Sequence, residues 1–274
     1  MLSVAKAHAY GNDFLFVPAE QAEGLKLDQL SRRLCERHTG LGGDGVIYYT
    51  TAPDGTARMK LINADGSPSE LSGNGLRCLA ALVLHQREAG NTVPITDVRV
   101  DTDAGWKTLS LISRQGGRYT FRAAMGPPER VFEERIEAAG ESLKVTTLAI
   151  GNPQCVALMA ELPDLARFNR LGPALATHPR FSEGTNVEFA VVEAPSRVRI
   201  LIWERGVGPT MASGTGACAS AIAAITHGGA ERDVEVIAPG GTQRVEWRSD
   251  GIYLTGWAEV VFEGRWVPAY ADFS

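Results

Sequence analysis

The sequence predicts an α/β protein of two pseudo-symmetric, strand-rich domains, each wrapped around one central apolar helix. Two observations predict it. The first is a long-range internal repeat. Ser72-Gly73-Asn74-Gly75 returns as Ser213-Gly214-Thr215-Gly216, 141 residues later. Gly11-Asn12-Asp13 returns as Gly151-Asn152-Pro153 at an offset of 140, and Gly43-Asp44-Gly45-Val46 as Gly184-Thr185-Asn186-Val187 at 141. A period this long is that of a duplicated domain rather than a solenoid or propeller blade. The second is that each half alternates short β-branched or aromatic runs with one long apolar helical run.

In the first half, Leu15 to Val17 reads as a strand after the Gly11-Asn12-Asp13-Phe14 turn. Leu27, Leu30 and Leu34 keep helical spacing, which predicts a helix over 27–36. The glycine-rich loop 39–45 leads into a β-branched and aromatic strand, Val46 to Tyr49. Met59 to Asn63 is a further strand, Ala64-Asp65-Gly66 a turn, and Leu76 to Gln86 the apolar helix. Strands over 98–101 and 108–112 complete the half.

The second half repeats this order. Strands are expected over 119–123, 143–150 and 155–158, and a helix over 165–176. Strands over 187–192 and 197–203 precede an alanine-rich helix over 217–226, and closing strands include 251–255 and 259–262. The seam is expected at the polar Arg114-Gln115-Gly116-Gly117 stretch. This divides the chain into domains 1–115 and 116–264.

Composition narrows the function. At 274 residues the chain accommodates two ordinary domains. A net charge of −5, with no basic stripe, argues against a nucleic-acid partner. No apolar run approaches the roughly 18 residues that span a bilayer. The N-terminus lacks the apolar core of a signal peptide, so a cytoplasmic protein is expected. Cys35, Cys78, Cys155 and Cys218 form no metal-ligand spacing, and the histidines show no i, i+4 pair, so no metal is expected. Cys78 and Cys218 fall in apolar helical runs and are expected to be packing residues.

The chemistry concentrates where the two apolar helices begin. A helix N-terminus offers unpaired N–H groups and partial positive charge, and glycines let a ligand approach the backbone. A carboxylate is a natural guest, and gripping that of an amino acid stabilises the charge left when the α-proton departs. A serine before a helix is also a common N-cap, so either string alone carries little weight. Their recurrence at one offset carries more. Ser72 and Ser213 occupy equivalent places, as a two-base racemisation requires. Yet an alcohol is several pKa units weaker as an acid than a thiol. At about 1.4 kcal/mol per unit, that adds on the order of 5 kcal/mol to a barrier.

The chain resembles the diaminopimelate epimerases along nearly its whole length. The matching segments include GNDF (11–14), TGLGGDG (39–45), INADGSPSELSGNGLRC (62–78), DTDAG (101–105), GNPQCV (151–156), EGTNVEF (183–189), WERGVGPTMASGTGAC (203–218) and TGWAEVVFEG (255–264). The resemblance implies a cofactor-independent isomerase of two pseudo-symmetric α/β domains, working as a homodimer. Such an enzyme interconverts LL- and meso-diaminopimelate for lysine and peptidoglycan synthesis. It implies that the tail, residues 265–274, packs on the first domain. It implies substrate contacts at Asn12, Asn63, Asn152, Asn186, Glu204 and Arg205, and a carboxylate cradle at Gly73-Asn74 and Gly214-Thr215.

The departures are as informative. The family's two proton-transfer residues are cysteines at the positions of Ser72 and Ser213, so epimerase activity of this chain is expected to be impaired. Gln154 stands where the family usually has a histidine, which it pairs with the glutamate matched by Glu204; Glu204 is therefore a further catalytic candidate. The serines are either deliberate isosteric replacements or native divergence, and Gln154 favours the second. Two other readings stay open: a non-catalytic amino-acid-binding homologue, and a racemase of another amino acid such as proline. Asn63, Asn186 and Arg205 favour a substrate with a second amino-acid head group, Arg205 being expected as a buried charge that needs a carboxylate.

Overall fold

The computed structural model describes residues 1–69, 72–90, 94–103 and 105–267. The chain divides into two compact units, Met1–Ala123 together with the segment from Gly256 onward, and Ala124–Thr255.

Unit 1 opens with β1 (Leu2–Ala9), β2 (Asn12–Pro18), α1 (Leu27–Cys35) and β3 (Gly45–Thr51). It continues through β4 (Ala57–Asn63), β5 (Pro68–Ser69), α2 (Gly73–Ala89), β6 (Asp97–Asp101) and β7 (Lys107–Gln115). The unit boundary falls inside β8 (Arg118–Gly126). Unit 2 holds β9 (Glu129–Ala138), β10 (Glu141–Ala149), β11 (Pro153–Leu158), α3 (Leu165–Ala176) and β12 (Asn186–Ala194). It closes with β13 (Arg197–Glu204), β14 (Gly208–Thr210), α4 (Gly214–His227), β15 (Asp233–Ala238), β16 (Gly241–Arg248) and the first part of β17 (Gly251–Trp266).

The repeat read from the glycine motifs is a repeat of topology. In unit 1, β2 pairs parallel with β3, β3 antiparallel with β4, and β4 parallel with β6, which turns back as β7. In unit 2, β11 pairs parallel with β12, β12 antiparallel with β13, and β13 parallel with β15, which turns back as β16. Even the register agrees: Phe14 pairs with Gly45, and Gln154 with Asn186. A helix covers each parallel pair, α1 through Leu30 and Leu34, α3 through Phe168, Leu171 and Leu175.

The second helix of each unit is the core. In α2 every residue from Asn74 to Leu84 is buried, and in α4 so is every residue from Gly216 to Ala224. A helix that is apolar on all sides is stable only when enclosed, and the strands of its own unit surround it. Cys78 and Cys218 are fully buried packing residues of these helices. Among the described residues no helix is long and apolar enough to cross a membrane.

Several expectations are corrected. Residues 114–117 are not a linker: Arg114 and Gln115 end β7 and Gly116-Gly117 turn the β7–β8 hairpin, where Gln115 pairs with Arg118. The two strands expected over 251–262 are one continuous strand, β17, and the second unit boundary lies within it. The tail expected to pack on the first domain lies outside the described residues beyond Val267. Strands β1 and β9 were not anticipated at all.

Candidate active site

In unit 1 the half-site is built at the mouth of α2. Ser72 is its N-cap, in extended conformation, and its Oγ accepts a hydrogen bond from Gly75 N at 3.1 Å. Gly73, the first helical residue, borders open space: an ideal Cβ there meets nothing within 4 Å. Asn74 is buried, and its Nδ2 donates to Asn12 Oδ1 at 3.1 Å. Asn12 is presented by the tight Tyr10-Gly11 turn between β1 and β2, both of whose residues have positive φ.

These two amides belong to a directed chain. The Arg77 guanidinium donates to Asn74 Oδ1, Asn74 to Asn12, and Asn12 Nδ2 to Asp44 Oδ2 at 2.7 Å. A cation at one end and a carboxylate at the other fix which way each amide points. Asp44 is paired in turn with Arg37 at 3.0 Å, and Asp13 with Lys6 at 2.7 Å. Asn63 lies at the end of β4, and its Nδ2 donates to Ser67 Oγ at 3.0 Å.

Unit 2 builds the same mouth on α4. Ser213 caps it, accepting from Gly216 N at 3.0 Å, and Ser213 Oγ lies 3.5 Å from Thr215 Oγ1. Gly214 is the first helical residue and is buried. Asn152 follows Gly151, whose φ is +78°, in the loop between β10 and β11. Gln154 is 1% exposed and central. The amide orientation that satisfies its neighbours turns Nε2 to Glu188 Oε1 and Oε2 at 3.1 and 3.3 Å. Its oxygen then accepts from Thr215 Oγ1 at 3.1 Å and Asn186 Nδ2 at 3.2 Å. The same end of the amide lies 2.6 Å from the Asn152 side-chain amide, which meets it as a donor with its own NH₂ turned toward Gln154. Asn186 Oδ1 accepts from Arg205 N at 2.9 Å.

Two findings depart from the sequence reading. Arg205 is exposed, not buried, and its guanidinium donates to Glu183 O at 2.9 Å, so no uncompensated buried charge argues for a second carboxylate. Glu188 was not singled out, yet it is fully buried at this mouth. Burial first, and the Glu204 carboxylate second, hold its carboxyl well above the usual range. A signal was present: at position 188 a charged residue interrupts an otherwise apolar strand run. Ser72, Gly73, Asn74 and Asn12 are gathered in unit 1. Ser213, Gly214, Thr215, Asn152 and Asn186 are gathered in unit 2. Asn63 and Glu204 end equivalent strands, β4 and β13.

The fold and the two helix mouths define a class: duplicated α/β proteins in which each repeat offers a capped helix mouth lined by amides. A hydroxyproline epimerase from Agrobacterium vitis, solved with trans-4-hydroxy-L-proline, shares this fold. Its TM-score is 0.68 at 17% identity, over 96% of this chain and 90% of that one. The chain belongs to the diaminopimelate epimerase family, whose model matches residues 4–131 and 146–261. The diaminopimelate epimerase of Desulfitobacterium hafniense is 40% identical over 96% of this chain and 97% of its own length. That of Desulforudis audaxviator is also 40% identical, over 98% and 100%.

Proposed function

We propose that this chain is an isomerase of the diaminopimelate epimerase type, interconverting LL- and meso-diaminopimelate in lysine and peptidoglycan synthesis. One observation carries the reading: a chain of this family repeats, at both helix mouths, a capping serine beside a first-turn glycine. The backbone N–H groups of Gly73-Asn74 and Gly214-Thr215 suit the carboxylate of an amino acid. Held there, the carboxylate takes up the charge that develops when the α-proton leaves. Asn12, Asn63, Asn152, Asn186, Glu204 and Arg205 are assigned to the remainder of the substrate. No cofactor is required, because both proton transfers use protein groups.

Ser72 and Ser213 hold the two proton-transfer positions, one removing a proton and the other returning one. Each Oγ accepts a helix N–H, which favours a negative oxygen, but not by enough to replace a thiol. The chain as it stands therefore binds diaminopimelate and turns it over slowly. We assign it to the cytoplasm as a homodimer, which light scattering tests.

The functional test is α-proton exchange in deuterated water with LL-diaminopimelate. Exchange is expected to be very slow, and to rise by orders of magnitude in Ser72→Cys/Ser213→Cys. Each single replacement restores exchange more than inversion, since inversion needs an acid and a base on opposite faces. Failure of the unaltered chain to bind diaminopimelate overturns the substrate assignment. Fast epimerisation by the all-serine chain overturns the serine argument and points to Glu204.

A further inference from the structure

The shared topology allows the two half-sites to be compared position by position, and beneath the helix mouths they differ. In unit 1 an ideal Cβ on Gly75 meets Ile47 Cδ1 at 2.9 Å and Ser72 Cβ at 3.3 Å. In unit 2 the corresponding Cβ on Gly216 meets Glu188 Oε1 at 2.5 Å, and Ser213 Cβ and Oγ at 3.1 Å. Ile47 and Glu188 are equivalent, each the third residue of its strand. An apolar side chain thus floors the mouth of α2, and a carboxyl group floors that of α4.

We propose that Glu188 is a positioning residue of the second half-site. Its carboxyl holds Gln154 with the amide oxygen turned to Thr215, and its charge state sets how well the α4 mouth receives an anion. The inference rests on the epimerase reading and names a residue which that reading does not use.

The hydrogen-bond directions support the first part. Gln154 has one donor end and one acceptor end, and Glu188 supplies the acceptor for the donor end. With that end satisfied, the amide oxygen is committed to Thr215 Oγ1 and Asn186 Nδ2. The Thr215 hydroxyl proton is then engaged, leaving its oxygen to face Ser213 Oγ. Without Glu188 a buried amide loses its partner, and rotation by half a turn exchanges donor for acceptor at Thr215.

Electrostatics supports the second part. A neutral Glu188 leaves the α4 N–H groups and their partial positive charge to a ligand carboxylate; an ionised one places negative charge under the same mouth. The ionisable groups around it are few. β13 brings Glu204, whose charge opposes ionisation. β11 brings Cys155, whose thiol is pushed up by burial and then by Glu188 itself. α4 brings Ser213, Thr215 and Gly216, with Cys218 farther along the helix. α3 meets β12 through Phe168 against Phe189, ring centroids 5.7 Å apart.

The test compares the full chain with Glu188→Gln, which keeps an acceptor and loses the charge, and Glu188→Leu, which loses both. Diaminopimelate affinity is measured by calorimetry from pH 6 to 10. The ratio of unaltered chain to Glu188→Gln cancels the titration of the ligand itself. Near neutrality Glu188→Gln is expected within threefold of the unaltered chain, and Glu188→Leu at least tenfold weaker. Above the pH at which Glu188 ionises, the unaltered chain loses affinity relative to Glu188→Gln by up to tenfold per pH unit. A second reading needs no ligand: the side-chain NH₂ resonances of Gln154 shift in Glu188→Leu and are retained in Glu188→Gln. An affinity ratio that is flat with pH overturns the charge assignment, and a Gln154 signal indifferent to Glu188→Leu overturns the positioning role. If the unaltered chain binds no diaminopimelate, the functional reading fails, and the Gln154 resonances alone decide this one. If Glu188→Leu does not fold, the pH ratio with Glu188→Gln decides it.

Discussion

Gly73→Ala should separate ligand binding from folding. Gly73 is the first residue of α2, and its φ is not among the positive glycine values, so alanine fits without backbone strain. An ideal Cβ meets nothing within 4 Å, so no packing is disturbed. The replacement removes unfolded-state freedom and is expected to stabilise the chain by about 0.4–1 kcal/mol. Gly216→Ala is the contrast. Its Cβ would sit 2.5 Å from Glu188 Oε1 and 3.1 Å from Ser213 Cβ, where the buried neighbours must move. Overpacking of this kind costs about 1–3 kcal/mol. Gly75→Ala falls between, because the nearest atom, Ile47 Cδ1 at 2.9 Å, is farther off than Glu188 Oε1 and has no hydrogen bond to lose. Urea denaturation followed by circular dichroism should therefore rank Gly73→Ala at or above the unaltered chain, then Gly75→Ala, then Gly216→Ala. Calorimetric titration with diaminopimelate should show the reverse for Gly73→Ala. A methyl at the mouth holds a carboxylate beyond the roughly 2.9 Å an N–H···O bond needs, and at least a tenfold loss of affinity is expected. A Gly73→Ala protein that is stable and binds normally would refute the cradle. One that is destabilised by more than about 1 kcal/mol would refute the conformational reasoning.

Gly172 lies in α3 with its α-carbon against the Trp203 indole, where an ideal Cβ would come within 2.5 Å of Cε3. Gly172→Ala should cost about 1–3 kcal/mol and lower the thermal transition; an unchanged transition would show that the ring can give way. Asp13 provides a pH test. Burial pushes its carboxyl up, but the hydrogen bond and charge of Lys6, followed by Arg37, outweigh this and hold it below the usual carboxylate range. A depressed folded pKa contributes stability above the unfolded value of about 3.9 that is lost as pH falls through the folded one. Lys6→Met should move the acid unfolding limb to higher pH, read by fluorescence from pH 6 to 2. A limb that stays in place would remove Lys6 from this role.

Much of this protein was legible in its sequence because duplication writes the same local physics twice. A capping serine, glycines and an apolar helical run are local signals, and their recurrence at one offset located both helix mouths and the strands beside them. Residues whose role depends on partners far along the chain were not legible. Strand β9 carries Glu133, Glu134, Arg135 and Glu137 on exposed or half-exposed positions, and only Ile136 and Ala138 are buried. It becomes a strand by pairing antiparallel with β10, which brings Ile136 opposite Leu143 in the core. Strand β1 is short-chained and alanine-rich, and is held by β2 on one side and β17 on the other, more than 240 residues away. The 114–117 stretch has the composition of a linker, yet strand pairing makes it part of a hairpin.

The same division runs through the site. By itself the sequence determined the family, the repeat, and the two serine-capped helix mouths. Tertiary structure decided what lies behind those positions: Arg77, Asn74, Asn12 and Asp44 in one oriented chain, and Gln154 turned between Glu188 and Thr215 in the other. It also placed Arg205 in solvent, against the expectation of a buried charge, and Glu188 in the interior, where its charge alone would not put it. The reason is physical. A side chain's ionisation and the direction of an amide are set by the dielectric and the donors around it, and strand pairing, not sequence proximity, brings those neighbours together.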